Sequence, residues 1–311
     1  MKTISFVIPC YGSEKTIKDV TSEIIDVVSL REKYDYEIIA VNDCSPDNVL
    51  GVLKTLAREN KKIKVINLAK NMNRPGAVMA GLNNISGDYV VIMDDDGQCP
   101  MDKFWKLFEP IEEGHDVSIA KYPSRKQTLF KNFGTWVNKK MTEFILNRPK
   151  DMEFTNFMLM KAYIIKEIIK YDNPYPYYTG LLLRTTSDIV NVEMEQRERF
   201  AGDSTFTFFK MLGMWLNGLT AFSIKPLRIS SLIGTICALV GFVFGIITII
   251  RKIVSTNISV GWSSTISIML FIGGLIMLML GMIGEYLGRI YISLNKSPQY
   301  VIKEKINFQE D

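Results

Sequence analysis

The sequence predicts an α/β domain built on a doubly wound, mostly parallel sheet, followed by interfacial helices and then two transmembrane helices. Three observations carry that expectation. Apolar runs of strand length alternate with helical stretches through roughly the first 120 residues, the pattern of a parallel sheet with crossover helices. Each of the first four runs stops in a polar segment. Two long stretches near the C-terminus carry no charged residue.

Ile4 to Pro9 is the first strand, and Ser13 is placed to cap a helix running towards Leu30. Tyr36 to Val41 is the second strand and ends at Asn42-Asp43-Cys44-Ser45-Pro46, where Pro46 opens a helix to about Asn60. Ile63 to Leu68 is the third, followed by the polar turn Lys70 to Gly76 and a helix to about Ile85. Ser86-Gly87 turns into the fourth, Tyr89 to Met93, which stops at Asp94-Asp95-Asp96-Gly97-Gln98. Val117 to Ala120 is the fifth. In such sheets ligands bind outside the carboxyl ends of the strands. Segments 9–14, 42–46, 70–76 and 94–98 are therefore expected to converge on one crevice.

The acidic triplet is the sharpest feature there. Three adjacent carboxylates at the end of a buried strand repel one another, and desolvation worsens the repulsion. A divalent cation with oxygen ligands would neutralise them, and a hard cation at this place in an α/β domain suggests a diphosphate ligand. A solvated acidic turn is the plainer alternative. Asp43 is suited either to a ribose hydroxyl or base edge or to capping the helix after Pro46. Arg125, Lys126 and Lys131 follow the fifth strand, either near phosphates or on a solvated helix face.

Ile229 to Ile250 and Ser263 to Gly284 hold no Asp, Glu, Lys or Arg. Each would extend roughly 33 Å as a helix, enough for a hydrocarbon core of about 30 Å. Lys210, Lys225 and Arg228 precede the first run; Arg289, Lys296, Lys303 and Lys305 follow the second, against Arg251 and Lys252 in the connector. That bias places the N-terminal domain and the C-terminal tail in the cytoplasm. Glycines in both runs allow close helix contact within the pair or between subunits. Residues 204–219, apolar and aromatic, read as a helix lying along the membrane or else as a buried core helix. Glu285 and Arg289 are spaced to pair on one helix face.

The 311 residues carry a net charge of +4 without a long basic run, which does not imply nucleic acid. Cys10, Cys44, Cys99 and Cys237 have neither metal-site nor disulfide-framework spacing, and are expected as reduced thiols, mainly packing residues. Met1-Lys2-Thr3-Ile4 runs straight into a strand pattern, so no signal peptide is expected.

Phe6-Val7-Ile8-Pro9-Cys10-Tyr11, Val41-Asn42-Asp43-Cys44-Ser45 and Asp94-Asp95-Asp96-Gly97-Gln98 together resemble the family 2 glycosyltransferases. Arg197-Glu198-Arg199-Phe200-Ala201-Gly202-Asp203-Ser204, Lys225-Pro226-Leu227-Arg228, the two apolar runs and Gly284 to Tyr291 narrow the resemblance. It extends to the bacterial polyprenyl-phosphate glycosyltransferases, relatives of dolichyl-phosphate mannose synthase. The resemblance implies a GT-A nucleotide-sugar domain over 1–203, juxtamembrane helices over 204–228, a two-span hairpin over 229–284 and a cytoplasmic tail over 285–311. It also implies an inner-membrane enzyme, homo-oligomeric, that moves a sugar from a nucleotide diphosphate donor, UDP-sugar first, to undecaprenyl phosphate with inversion.

By the same resemblance Pro9, Tyr11, Glu14 and Asp43 line the nucleoside pocket. Asp94 and Asp96 bracket Mg²⁺ or Mn²⁺ and the diphosphate, with Asp95 and Gln98 beside them. Arg199 and Ser204 meet the lipid phosphate or donor diphosphate; apart from the resemblance, Arg125 and Lys131 are offered as phosphate contacts by their place after the fifth strand, and Arg197 or Lys210 as a replacement for the cation that Thr205 lacks. Two departures stand out. Relatives often carry an Asp, a candidate base, where this chain has Asn156, and Ser-Lys-Tyr where it has Ser204-Thr205-Phe206. An acceptor that is already an anionic phosphate needs little deprotonation, so the first departure is chemically tolerable. A processive polysaccharide synthase would need more spans and a Gln-x-x-Arg-Trp motif. A noncatalytic membrane scaffold would leave the polar strand ends unexplained.

Overall fold

The computed structural model describes residues 1–123, 149, 152–174, 176–197, 200, 225–254, 261–295 and 297–308. The chain divides into two compact units: Met1–Leu212 with Lys296–Asp311, and Gly213–Asn295. The chain thus leaves the first unit, builds the second, and returns to the first.

The first unit is an eight-stranded sheet: β1 (Lys2–Cys10), β2 (Tyr34–Asn42), β3 (Ile63–Leu68), β4 (Tyr89–Ile92), β5 (Val117–Lys121), β6 (Met158–Lys161), β7 (Ile189–Glu193) and β8 (Ile302–Ile306). Their spatial order is β7-β5-β6-β4-β1-β2-β3-β8. β1, β2, β3 and β4 pair in parallel. Their Ile- and Val-rich runs are buried on both faces, as strands covered by helices on each side must be. The strand order reverses at β1, between β2 and β4, which is where a crevice opens in folds of this kind. β4 pairs only as far as Val7, so β1 runs on past it on that side to Pro9 and Cys10.

Two features go beyond the sequence expectation. β6 inserts antiparallel between β4 and β5, so β5 is not the direct neighbour of β4. The segment expected as a tail supplies β8, antiparallel to β3, and so covers that edge.

Helices α1 (Ile17–Ser29), α2 (Val49–Glu59) and α4 (Phe104–Glu113) accompany one core. It includes Phe6, Ile24, Leu53, Phe104, Phe108 and Phe157, with the Phe6 and Phe104 rings 5.5 Å apart. Helix α3 (Asn73–Leu82) packs with Ile39, Val41, Ile66 and Leu68, joined by Tyr300, Ile302 and Phe308 of the C-terminal segment. Helices α5 (Ala162–Ile168) and α6 (Tyr178–Thr185) are the other helices of the unit among the described residues. Ser13 does not cap α1 by its side chain. Its carbonyl accepts the N–H groups of Thr16 and Ile17 at 3.1 Å each, and the Thr16 hydroxyl is turned to the carbonyl of Asp95 at 2.6 Å.

The second unit contains α7 (Lys225–Val254) and α8 (Trp262–Leu294), each long and apolar enough to cross a membrane. Leu239, Phe242, Met277 and Leu287 are exposed along them, as side chains facing lipid would be. Gly234 lets the two helices meet: a Cβ there would lie 2.3 Å from Met279 Cε. Helix α8 continues past the expected span, and Arg289 pairs with Glu285 at 2.7 Å one turn away. The expected interfacial helix over 204–219 lies outside the described residues.

Candidate active site

The four polar strand ends meet, and a circuit of contacts joins them. Tyr11 N–H donates to Asp95 Oδ2 at 3.1 Å, tying segment 9–14 to the acidic triplet. Gly12 N–H donates to Ser45 Oγ at 2.8 Å, Glu14 N–H to Asp47 Oδ2 at 2.9 Å, and Asn48 N–H to Glu14 Oε2 at 3.2 Å. Those three tie segment 9–14 to the turn after β2. Asp43 Oδ1 accepts the Met72 N–H at 2.6 Å, tying that turn to the loop after β3. Arg74 closes the circuit on Asp94 Oδ1, with Nε at 3.0 Å and Nη2 at 2.9 Å.

Asp43 thus does not cap α2. It is almost fully buried, at 3% exposure, and that burial pushes its carboxyl up to about 6, against the pull of the Met72 and Asn73 N–H groups. Pro9 lies in the buried part of β1, which Cys10 closes, and the Tyr11 side chain beyond them is exposed. Burial also drives the Cys10 and Cys99 thiols up, so they stay neutral packing groups. Cys44 is exposed beside Asp43, its φ of 52° in the left-handed region.

The aspartates of the triplet, all half-buried, have different partners. Asp94 is engaged on both oxygens, by Arg74 on Oδ1 and by Asn156 Nδ2 on Oδ2 at 2.8 Å. Tyr178, at the start of α6, joins the group: Arg74 donates to its hydroxyl, and the hydroxyl donates to Asn156 Oδ1 at 3.4 Å. Burial would lower the Arg74 pKa, but Tyr178 and Asp94 hold it above the ordinary value, so the guanidinium stays charged. Asp95 faces the Tyr11 loop, and burial pushes it up to about 6. Asp96 Oδ1 accepts the Gln98 N–H at 3.1 Å, and its backbone carbonyl accepts the Phe200 N–H at 3.1 Å. Gly97 has φ +77°, and a Cβ there would lie 2.3 Å from the Phe200 ring. A side chain would be strained in both respects.

Gln98 and Arg197 are joined, the Arg197 N–H donating to the Gln98 carbonyl at 3.2 Å. The Arg197 guanidinium spans Glu23, 2.9 Å from each oxygen, and Asp102 at 2.6 Å. Two carboxylates thus take the charge that the sequence reading offered to a phosphate. Arg125, Lys131, Arg199 and Ser204 lie outside the described residues.

A divalent cation suits the donor set. Asp94 and Asp96 supply hard carboxylate oxygens, and both oxygens of Asp94 already accept, from Arg74 and from Asn156. Among the described residues no three His, Cys, Asp or Glu side chains form a ready metal cage. One or two carboxylates completed by substrate phosphates is a usual arrangement for Mg²⁺.

Sequence reasoning placed 70–76 at the crevice but did not single out Arg74, Tyr178 or Thr16. The signal for Arg74 was its place in a polar strand-end segment facing three carboxylates. Tyr178 carried none beyond an aromatic-rich stretch.

Comparison with known proteins gives the family and the fold. Residues 5–170 match the family described as Glycosyl transferase family 2, and residues 225–290 match the GtrB C-terminal hairpin. The chain is 31% identical over 303 residues to a prophage bactoprenol glucosyl transferase homolog of Escherichia coli, covering 96% of this chain and 98% of the relative. It is 29% identical over 306 residues to the uncharacterized glycosyltransferase YkcC of Bacillus subtilis, covering 98% and 94%. Among solved structures, glucosyl-3-phosphoglycerate synthase from Mycobacterium tuberculosis in complex with Mn²⁺ and UDP-Glc shares the fold. Its TM-score is 0.50 at 20% identity, over 70% of this chain and 77% of that one.

Proposed function

The chain belongs to glycosyl transferase family 2 and matches the GtrB C-terminal hairpin over residues 225–290, and from that premise we propose that it transfers a sugar from a nucleotide diphosphate donor to a polyprenyl phosphate at a membrane surface. The circuit of four strand ends supports this reading best. It brings Tyr11, Glu14 and Asp43, offered here for the nucleoside side, together with Asp94, Asp95 and Arg74, offered for the diphosphate side. The bactoprenol-linked relative points to the acceptor, and the UDP-Glc complex of the structural neighbour to a UDP-sugar donor.

In the proposed reaction an oxygen of the acceptor phosphate attacks the anomeric carbon of the donor, inverting it. The bond from that carbon to the diphosphate breaks, and the nucleoside diphosphate leaves. Asp96, with Asp94 beside it, would hold a divalent cation, Mg²⁺ or Mn²⁺, against the diphosphate. Such a cation, when bound, supplies positive charge to the departing phosphate oxygens. Arg74 adds a fixed positive charge at the acidic strand end, and Asp43 with Tyr11 receives the nucleoside. Asn156 takes no proton at neutral pH and none is required, because the acceptor oxygen is already anionic. Arg199 and Ser204, with Arg125 and Lys131, would position the lipid phosphate, and proximity would supply much of the acceleration.

Chain connectivity favours a hairpin in the membrane. The first unit includes the strand that follows α8, so the chain that leaves it towards α7 returns to it. An even number of crossings keeps both ends on one side. The excess of Lys and Arg at those ends makes that side the cytoplasm. The glycines of α7 and α8 that meet no described side chain suit assembly with further copies.

The test uses the full chain in detergent with undecaprenyl phosphate, Mg²⁺ or Mn²⁺, and a panel of nucleotide sugars. One donor should be consumed with formation of a polyprenyl-phosphate sugar, and Asp96→Ala should slow this by about 100-fold or more. No consumption of any donor, together with unchanged nucleotide and cation binding in Asp96→Ala, would overturn the proposal.

A further inference from the structure

Asp94 is held by Arg74 on α3 and by Asn156, and Tyr178 at the head of α6 bridges these two partners. Behind Arg74 and Tyr178 lies one residue from the far end of the chain. Gln299 follows Leu294, the last residue of α8, by five positions and is buried, at 8% exposure. Its Nε2 donates to the carbonyl of Tyr171 at 2.6 Å and to that of Asn173 at 2.8 Å. These carbonyls belong to the connection that leads into Tyr178. The backbone carbonyl of Gln299 lies 3.2 Å from where a Cβ on Gly76 would be, two residues after Arg74. A side chain at Gly76 would press on that carbonyl, and glycine lets the strap lie against the first turn of α3.

The strap is itself anchored. Val301 O accepts the Ala69 N–H at 2.8 Å, and β8 pairs with β3. Glu304 meets Lys54 at 2.8 Å. Asn307 Nδ2 donates to the carbonyls of Ala57 at 2.6 Å and Ile63 at 2.9 Å. Gln299 therefore touches both the turn that carries Arg74, a direct partner of Asp94, and the segment that leads to Tyr178, which contacts Arg74 and Asn156. An amide NH₂ offers two donors, and two loop carbonyls use both.

We propose that Gln299 is a positioning residue for the active site: its side-chain amide pins the 171–173 backbone while its carbonyl abuts Gly76, and together they set the Arg74–Tyr178 clamp on Asp94. The functional part of this inference rests on the glycosyltransferase reading. The structural part does not. A chain ending with α8 would lack this contact.

The experiment compares the full chain in detergent with Gln299→Leu, which keeps the bulk and removes the donors. Glu304→Gln serves as the control, loosening the strap's ion pair without touching the 171–173 carbonyls. Hydrogen exchange is measured on peptides covering 171–178 and on β1, β2 and β4, alongside KM for the nucleotide sugar and for the lipid phosphate. Gln299→Leu should speed exchange over 171–178 by about tenfold, the scale set by losing hydrogen bonds to two carbonyls. Exchange in the central strands should not change. The donor KM should rise several-fold, with the lipid KM unmoved and Glu304→Gln like the wild type in both. Wild-type exchange over 171–178 in Gln299→Leu would overturn the inference, as would an equal effect from Glu304→Gln. If the wild type turns over no donor at all, the glycosyltransferase reading fails instead, and exchange still decides the role of Gln299.

Discussion

Replacing Arg74 with methionine keeps an unbranched stem and removes the guanidinium whose charge sits on Asp94. The wild-type guanidinium lies 2.9 Å and 3.0 Å from Asp94 Oδ1 and also donates to Tyr178. At an effective dielectric of about 20, two unit charges about 4 Å apart attract by about 4 kcal/mol. Both side chains are about a quarter exposed, at 24% and 26%, so solvent screening and the desolvation both ions bear reduce the net loss to about 2 kcal/mol. For a unit of this size that corresponds to a fall in Tm of about 4–8 °C. The variant also leaves Asp94 unneutralised, so a divalent cation should stabilise it more than it stabilises the wild type. Thermal unfolding of the full chain in detergent, with and without Mn²⁺, measures both effects. A variant that melts within about 1 °C of the wild type, with the same response to Mn²⁺, would refute the view that Arg74 neutralises the acidic strand end.

Asn156→Asp would set a second carboxylate against Asp94 Oδ2, where the amide now donates at 2.8 Å. Like charges this close raise the pKa of the pair. The variant should therefore lose stability at pH 8 and recover it at pH 5 or with added Mn²⁺. Its transfer rate should not rise, and a faster single turnover at pH 8 would show that a base is wanted after all. Asp43→Asn tests the burial of that carboxyl. The folded value of about 6 lies above the unfolded value near 3.9. The native state therefore holds the proton more tightly, and wild-type stability falls as pH rises from about 4 through about 6. Asparagine can still accept from Met72 and carries no such cost. It should be more stable than wild type by on the order of 2 kcal/mol at pH 7.5 and equal to it near pH 4, as chemical denaturation at the two pH values would reveal. A difference independent of pH would sink the argument.

Much of the site was legible in advance because its signals are local. A parallel α/β sheet delivers each strand's carboxyl end to one edge, so segments 9–14, 42–46, 70–76 and 94–98 could be brought together without coordinates. The reading failed where a residue's role depended on a distant partner. Ser13 had the chemistry of a helix cap, yet Thr16 holds the place before α1 and spends its hydroxyl on Asp95. Arg197 had the charge for a phosphate, but Glu23 and Asp102 claim it. β6 is four residues long and carries no alternation that distinguishes an antiparallel insertion.

By itself the sequence determined the kinds of element and their chemistry: buried strands ending in polar turns, three carboxylates needing a positive partner, and two apolar helices. These follow from periodicity and composition, which act over a few residues. Tertiary structure decided which positive group answers Asp94. The sequence asked for a cation and suggested a metal, whereas the fold brings Arg74 from 20 positions away onto Asp94. It also made the end of the chain a strand and a brace behind the site. Coulomb and hydrogen-bond energies depend on distance in space, and for groups far apart in the chain only the folded backbone sets that distance.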